Sequence, residues 1–480
     1  MKYIVHFRIL ALIALFTVGY PCFSAEGKSA LMTKLKAHYK ATAHIDTFAL
    51  SHHYLNKPAR TSNYWDQSMP NRFMSYRRVE IDLNKKHFYD NDVHYFPGGR
   101  LIDRVQFQND SQSYLYERNG STLGKKVLKQ SMRRFDSAMG YFVMNLDFVA
   151  VRPLLAEKEL ESKVSYQRNS EQGLLTLVHR NANDKIVTYS FKEQPFQLNS
   201  IEHQGLGGKF VYRDYQTTRG VTYARYVEQT YGEVSEPSYV IYNDQFDEIA
   251  EVDPNKLKLP LDYTEVIERG DGVLRAEKIA EGLYVITDSS GSRNSLIYLK
   301  GNEIRLFGGT GYDALAKKTL ALIADEFPNK TIHSVYVTHP HGDEINGLTP
   351  YVESGINILA DDYTIAVIKA YERYKGNIEA FSFNRVEHRL EAADVQFYVL
   401  ENLHSKRQSF VYFKQAGVIF QSDFIHVPKD NTISNIIPSY TRVFIDYIRK
   451  EGLNYHRIVG AYRNNNISPE VVDKLYKAIM

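Results

Sequence analysis

The stretch that decides the fold is Thr338-His339-Pro340-His341-Gly342-Asp343-Glu344-Ile345-Asn346-Gly347. It follows the apolar run Ile332 to Val337, which reads as a buried strand. Side chains alternate along a strand, so His339 and His341 at its end project from one face and can grip one metal ion. Asp343 follows after Gly342, a residue that suits a tight turn around an ion. Imidazole and carboxylate together suit zinc or iron better than calcium or magnesium. The plain alternative is a strand-to-loop corner carrying two surface histidines.

The same stretch resembles the signature of the metallo-β-lactamase superfamily, His-x-His-x-Asp-His with a nearby Gly. His339, His341, Asp343 and Gly347 match it, and Glu344 stands where the family has His. The likeness runs along the C-terminal half. Ile279 to Ile286, Asn294 to Leu299 and Glu303 to Phe307 are similar to the family's opening strands. The turn Phe307-Gly308-Gly309-Thr310-Gly311 lacks the Asp that the family places there. Tyr312 to Phe327 reads as a helix with Leu315, Leu322, Ile323 and Phe327 on one side. Thr364 to Tyr374 reads as another, capped by Asp361 or Asp362. Short strands are expected at Arg385 to Leu390 and Val395 to Val399. His404, before the strand Ser409 to Phe413, takes the place of the third histidine. Asp423, after Val418-Ile419-Phe420, takes the place of the bridging carboxylate, with Ser422 for the family's Gly. Tyr462, in the run Arg457 to Arg463, takes the place of the last histidine.

The resemblance implies metal ligands His339, His341 and His404, with Asp343, Asp423 and Glu344 as further ligands. Three neutral imidazoles leave a zinc ion its full charge, and water bound there reaches a pKa near ~7. Asp343 then orients that water or takes its proton. Tyr462, a poor zinc ligand but a good hydrogen-bond donor, is the second catalytic candidate. One well-held zinc with a weak or empty second site is expected. Carboxylates and a phenol shift any second ion toward iron or manganese. The reading is an exported zinc-dependent hydrolase acting through metal-bound hydroxide on an ester, lactone or amide-type bond of a small molecule. Two alternatives stand beside it: a pseudoenzyme or ligand-binding protein on the same scaffold, and a carrier in which the N-terminal half holds an apolar group.

A chain of 480 residues exceeds one ordinary core, so two domains are expected. A net charge of +3 gives no electrostatic argument for nucleic acid. At the N-terminus, Lys2 and Arg8 precede the apolar run Ile9 to Val18, which is short for a membrane span. Cys22-Phe23-Ser24-Ala25 offers small residues for cleavage. Residues 1–25 therefore read as a signal peptide, and the mature chain as periplasmic or secreted with no transmembrane anchor. Cys22 is the single cysteine, which leaves histidines and carboxylates as the strong metal ligands of the mature chain.

Residues 26–263 read as an antiparallel β-rich domain with helices. A helical stretch, Ser29 to Lys40, precedes strands at Thr47 to Leu50, Tyr76 to Leu83, Lys85 to Tyr89 and Ser113 to Tyr116. Further strands are read at Leu174 to Arg180, Ile186 to Phe191, Gly208 to Tyr215 and Val221 to Gln229, with a gap at Gln216 to Gly220. Residues 131–161 look helical. This order resembles the half-barrel of bacterial lipoprotein carriers. Adjacent His52 and His53 point to opposite sides of a strand and, like Trp65, read as surface or packing residues. A polar, Pro-bearing linker is expected from Asp253 to Leu261, ahead of a metallo-β-lactamase-like αβ/βα sandwich at residues 264–480. The fold class is thus α+β in two domains.

Overall fold

Alternation of buried and half-buried side chains marks strands that build most of the N-terminal half into one sheet. In Leu174–Arg180 the buried residues are Leu175, Leu177 and His179, and in the paired Ile186–Lys192 they are Val187, Tyr189 and Phe191. The computed structural model describes residues 25–56, 66, 73–205, 208–231, 237–263, 265–267, 270–387, 391–392 and 394–479. The expected signal peptide up to residue 24, Trp65, and residues 388–390 of one expected strand lie outside the described residues.

Among the described residues fourteen strands form this sheet. Thr47–Asn56 lies at its middle, between Phe73–Asp82 and Tyr239–Glu248, and the neighbours are antiparallel. The exception is the last strand, Glu265–Ile267, which runs parallel to Lys126–Lys129 at one edge. Helices and helical turns between Ala25 and Lys163 supply one covering layer. Side chains such as Leu35, Phe48, Leu50, Phe148, Leu177 and Phe191 fill the space beneath it.

Several expectations change here. The supposed gap at Gln216 to Gly220 is a hairpin whose strands, Gly208–Thr218 and Val221–Tyr231, close on Arg219 and Gly220. Both turn residues have positive φ, the geometry that matches the twist of a two-residue hairpin. Strands Leu101–Gln108, Gln197–His203 and Tyr239–Glu248 add to those read from the sequence. Within the expected linker Leu257 is buried, and Val252 and Tyr263 on either side of it are buried too, beside Tyr89, Phe107 and Tyr116, while Leu261 is exposed.

The C-terminal half holds a seven-stranded and a five-stranded sheet. Their facing side chains share one core: Leu296, Phe307 and Tyr336 from the first meet Phe397, Phe413 and Phe420 from the second. Helices Asp313–Glu326, Thr349–Glu353 and Asp362–Ala370 cover the outer face of the first sheet through residues such as Ile323, Tyr351 and Ile368. Helices Ser439–Lys450 and Pro469–Ile479 cover the second through Phe444, Ile448 and Leu475. Helix, sheet, sheet, helix is the resulting layer order. Asp361 caps its helix by accepting hydrogen bonds from the backbone N–H groups of Tyr363 and Thr364. The run Ile279 to Ile286 is two strands, Arg275–Ala280 and Leu283–Thr287, rather than one. The whole chain is a mixed α/β protein with large sheets.

Parallel pairing sets the site. Glu303–Phe307 runs parallel to Thr331–Tyr336, with helix Asp313–Glu326 as the crossover. Val418–Gln421 runs parallel to Arg457–Gly460. The C-terminal ends of Thr331–Tyr336, Val418–Gln421 and Arg457–Gly460 deliver the loops carrying His339, Asp423 and Tyr462 to one edge of the sandwich. Hydrogen bonds stitch that edge: Ser409 N donates to Thr338 O at 2.8 Å, and Ala461 N to Gln421 O at 2.9 Å.

Candidate metal centre

The strand ends at Tyr336, so His339 and His341 stand on the loop beyond it rather than on one strand face. The loop turns at Pro340 and enters the single helical turn Gly342–Ile345, with His341 as its N-cap residue. Thr338 Oγ1 lies 2.9 Å from His339 Nδ1, which leaves His339 Nε2 as the nitrogen turned inward. His404 is fixed from a different loop. Asn402 Oδ1 accepts hydrogen bonds from the backbone N–H groups of His404 and Ser405, at 2.7 and 3.3 Å. Asn402 Nδ2 in turn donates to Gln408 Oε1 at 2.9 Å.

The three imidazoles converge. His339 Nε2 lies 3.0 Å from His341 Nδ1 and 3.2 Å from His404 Nε2. One ligand nitrogen from each ring falls within 4.8 Å of the others, and all three residues are buried. Nitrogens around a tetrahedral zinc at ~2.05 Å would lie about 3.3 Å apart, so this donor set fits such an ion. Burial holds the His339 imidazole down to about 4 and His404 well below the ordinary histidine range, His404 also by the neighbouring His341 and His339. Rings kept neutral in this way present lone pairs to a cation.

Asp423 sits against the cluster. Its Oδ2 lies 3.6 Å from His339 Nε2 and 3.8 Å from His404 Nε2. Its φ of 64° places this non-glycine residue in the left-handed region, a strained backbone that aims the carboxylate inward. Oδ1 faces Arg100 Nη1 at 3.5 Å and His426 Nε2 at 3.5 Å. Burial pushes the Asp423 carboxyl up, and the Asp343 charge adds to this.

Asp343 and Glu344 meet a second set of partners, around Arg293 and Tyr462, while the Asp343 charge still acts on His339 and His341. The Tyr462 hydroxyl donates to Asp343 Oδ2 and lies 2.8 Å from Glu344 Oε1. Arg293 Nη1 donates to Asp343 O at 3.0 Å and to Glu344 Oε1 at 3.5 Å, while Nη2 reaches Asp343 Oδ2 at 3.4 Å. The Ser422 hydroxyl completes the set, 3.0 Å from Glu344 Oε1 and 3.1 Å from Asp423 Oδ2. Desolvation pushes the Asp343 carboxyl up, but Arg293 and Tyr462 outweigh it and hold it below the usual range. Burial pushes Glu344 up to about 8 against the pull of Arg293, with Asp343 and Asp423 pushing the same way as burial. Burial also raises the Tyr462 phenol well above its ordinary value. The Asp343 side chain is 40% exposed against 4% for Glu344, so solvent meets the centre on the Asp343 side.

The opposite side is closed by the 14-stranded sheet. The connection Phe96–Arg100 between two of its strands lies against Tyr440, whose ring centroid is 5.0 Å from that of His404. A Cβ on Gly98 would lie 2.7 Å from the Tyr440 ring and 2.9 Å from Leu403 O, so only glycine fits. Asp66, from the same sheet's side, accepts hydrogen bonds from Tyr363 and Lys406, both at 3.1 Å. Sequence reasoning missed Arg293, Arg100, His426 and Tyr440. Arg293 immediately precedes the Asn-Ser strand, which is a signal of place only; the distant Arg100 carries none.

Neither a family model nor a curated protein matches the chain. Solved structures do. The chain is similar to the metallo-β-lactamase FIM-1 from Pseudomonas aeruginosa in its mono-zinc form, with 14% identity over 44% of this chain and 96% of that one, at a TM-score of 0.36. It is similar to a metallo-β-lactamase from Hirschia baltica, with 16% identity over 43% of this chain and 97% of that one, at 0.34. One from Pontibacter korlensis gives 12% identity over 43% and 98%, at 0.33.

Proposed function

We propose that the chain is an exported, zinc-dependent hydrolase acting on an ester, lactone or amide-type bond of a small molecule. The observation that carries this reading is the meeting of three buried imidazoles, His339, His341 and His404, within 4.8 Å. When bound there, zinc supplies Lewis acidity and makes water acidic enough to attack near neutral pH. Iron or manganese would serve the oxygen-rich set beside it better than the three nitrogens.

The chain's own residues then divide the remaining work. Asp423 Oδ2, 3.6 Å from His339 Nε2, is placed to hold the proton of an attacking water. Asp343 keeps its charge through Arg293 and Tyr462 and orients that water from the solvent side. Tyr462 acts through Asp343 and Glu344, between which its hydroxyl lies. We assign periplasmic or secreted location to residues 1–25 acting as a signal peptide. Among the described residues no helix is long and apolar enough to cross a membrane. The 14-stranded sheet acts in this reading as a separate domain whose loops wall one side of the site. Its half-barrel-like role as an apolar-ligand carrier gains no support from an interior filled by Phe48, Leu50 and Phe191.

One observation favours a second reading, a metal-binding scaffold without turnover. Asp343 and Glu344 are both engaged by Arg293 and Tyr462. Hydrolysis of an ester, lactone and amide panel decides between the two. The first reading predicts turnover that is lost with chelator, restored by zinc and abolished in His404→Ala. A zinc-loaded chain that hydrolyses none of the panel supports the second.

A further inference from the structure

Three carboxylates, Asp343, Glu344 and Asp423, lie beside the histidine cluster, and so many oxygens ordinarily draw a second, harder cation. The structure meets those oxygens with a guanidinium and hydroxyls instead. Arg293 reaches the Asp343 backbone oxygen at 3.0 Å, its carboxylate at 3.4 Å and Glu344 at 3.5 Å. Its guanidinium also lies over the Tyr462 ring, 4.1 Å from the centroid. We propose that Arg293 takes the place of a second metal ion, so that the centre accepts one ion and rejects another.

Three features make this arrangement built rather than incidental. Arg293 and Tyr462 are neighbours across an antiparallel bridge, and Asn294 N donates to Ala461 O at 2.8 Å, so the backbone fixes both side chains side by side. Gly311 leaves the room: a Cβ there would lie 2.8 Å from Asp343 O and 3.4 Å from two guanidinium atoms. Tyr462 and Ser422 each lie within hydrogen-bond distance of two of the carboxyl groups, so those oxygens already have protein partners where a second ion would enter. A divalent ion entering this set would sit close to a fixed positive charge and would have to displace those hydrogen bonds. An ordinary ion pair that only braced the loop would leave metal stoichiometry unchanged on its removal.

The inference rests on the reading of the three histidines as a metal site, and its test separates the two. The full chain is saturated with zinc, titrated with manganese(II), and examined by elemental analysis and electron paramagnetic resonance. Wild type is expected to keep one zinc and no manganese. Arg293→Ala is expected to keep one zinc and to bind one manganese roughly tenfold or more tighter than wild type does. Arg293→Lys, which keeps the charge, is expected to reject manganese like wild type. Equal manganese binding by wild type and Arg293→Ala overturns the proposal. If Arg293→Ala fails to fold, Arg293→Gln replaces it, and a wild type that retains two ions overturns the proposal without any variant. A wild type that retains no zinc removes the histidine site itself, whereas one zinc and no manganese in every variant overturns the role of Arg293 alone.

Discussion

Arg100 Nη1 lies 3.5 Å from Asp423 Oδ1, so a loop of the 14-stranded sheet reaches the carboxylate nearest the three histidines. Both side chains are largely buried, at 16% and 5% exposure. The two halves of the chain therefore share one electrostatic unit. The sheet closes the His404 side of the centre through Gly98 and Arg100, and leaves the Asp343 side to solvent.

Removing one partner of a buried pair leaves the other uncompensated. Arg100→Ala is expected to destabilise the chain by about 3 kcal/mol. A double-mutant cycle with Asp423→Asn should give a coupling of roughly 1–3 kcal/mol in denaturant unfolding. Additive effects of the two changes would show that the pair does not interact.

Tyr462→Phe removes a hydroxyl that bridges two carboxylates and keeps the ring under Arg293. A loss of about 1–3 kcal/mol is expected in chemical unfolding, because the pair Asp343 and Glu344 loses the hydroxyl between them. Zinc content should stay at that of the wild type, since the phenol is no ligand in this account. Loss of the ion in this variant would make Tyr462 a ligand after all.

The sandwich core depends on Phe307. It is fully buried and meets Tyr336, Phe397, Phe413 and Phe420 at centroid distances of 5.6, 6.4, 5.1 and 6.2 Å. Phe307→Ala should cost about 3–5 kcal/mol. A cost below about 1 kcal/mol would mean that the two sheets do not pack through this residue.

His52 makes the first sheet sensitive to acid. Its side chain is buried, and neither ring nitrogen has a hydrogen-bond partner among the described residues. Burial, aided by Arg77, holds its imidazole down to about 3. The unfolded chain takes up that proton near ~6.5, before the folded one does. Stability is therefore full above that pH and falls as pH drops toward the folded value, by up to about 5 kcal/mol. His52→Leu should flatten this slope between pH 6 and 4 in a series of denaturant melts. Parallel slopes in the two proteins would contradict the assignment.

Much of this is legible in the sequence where the signal is local. Residues 338–347 announce the histidines, and the helix expected at Tyr312 to Phe327 is found at Asp313–Glu326. The alternation in Leu174 to Arg180 gives that strand at its observed bounds. Leu101–Gln108 carries a similar alternation in part, yet the sequence reading omits it. The orientation of Asp343 and Glu344 is not legible, because it depends on a single helical turn and on contacts with Arg293 and Tyr462, which lie far away in the chain. Arg293 and Arg100 are hidden for a like reason. Each acquires its role from partners far away in the chain, Arg293 from Tyr462 and Arg100 from Asp423, and no short pattern encodes such a meeting.

The central claim is that His339, His341 and His404 hold one cation together. Zinc-edge X-ray absorption on the zinc-loaded chain tests it most directly, read beside elemental analysis of wild type, His341→Ala and His404→Ala. The account predicts one zinc per chain with about three imidazole nitrogens at ~2.0 Å, and loss of the ion in both variants. A wild type without zinc, or a zinc that keeps its shell when His404 is removed, would contradict it.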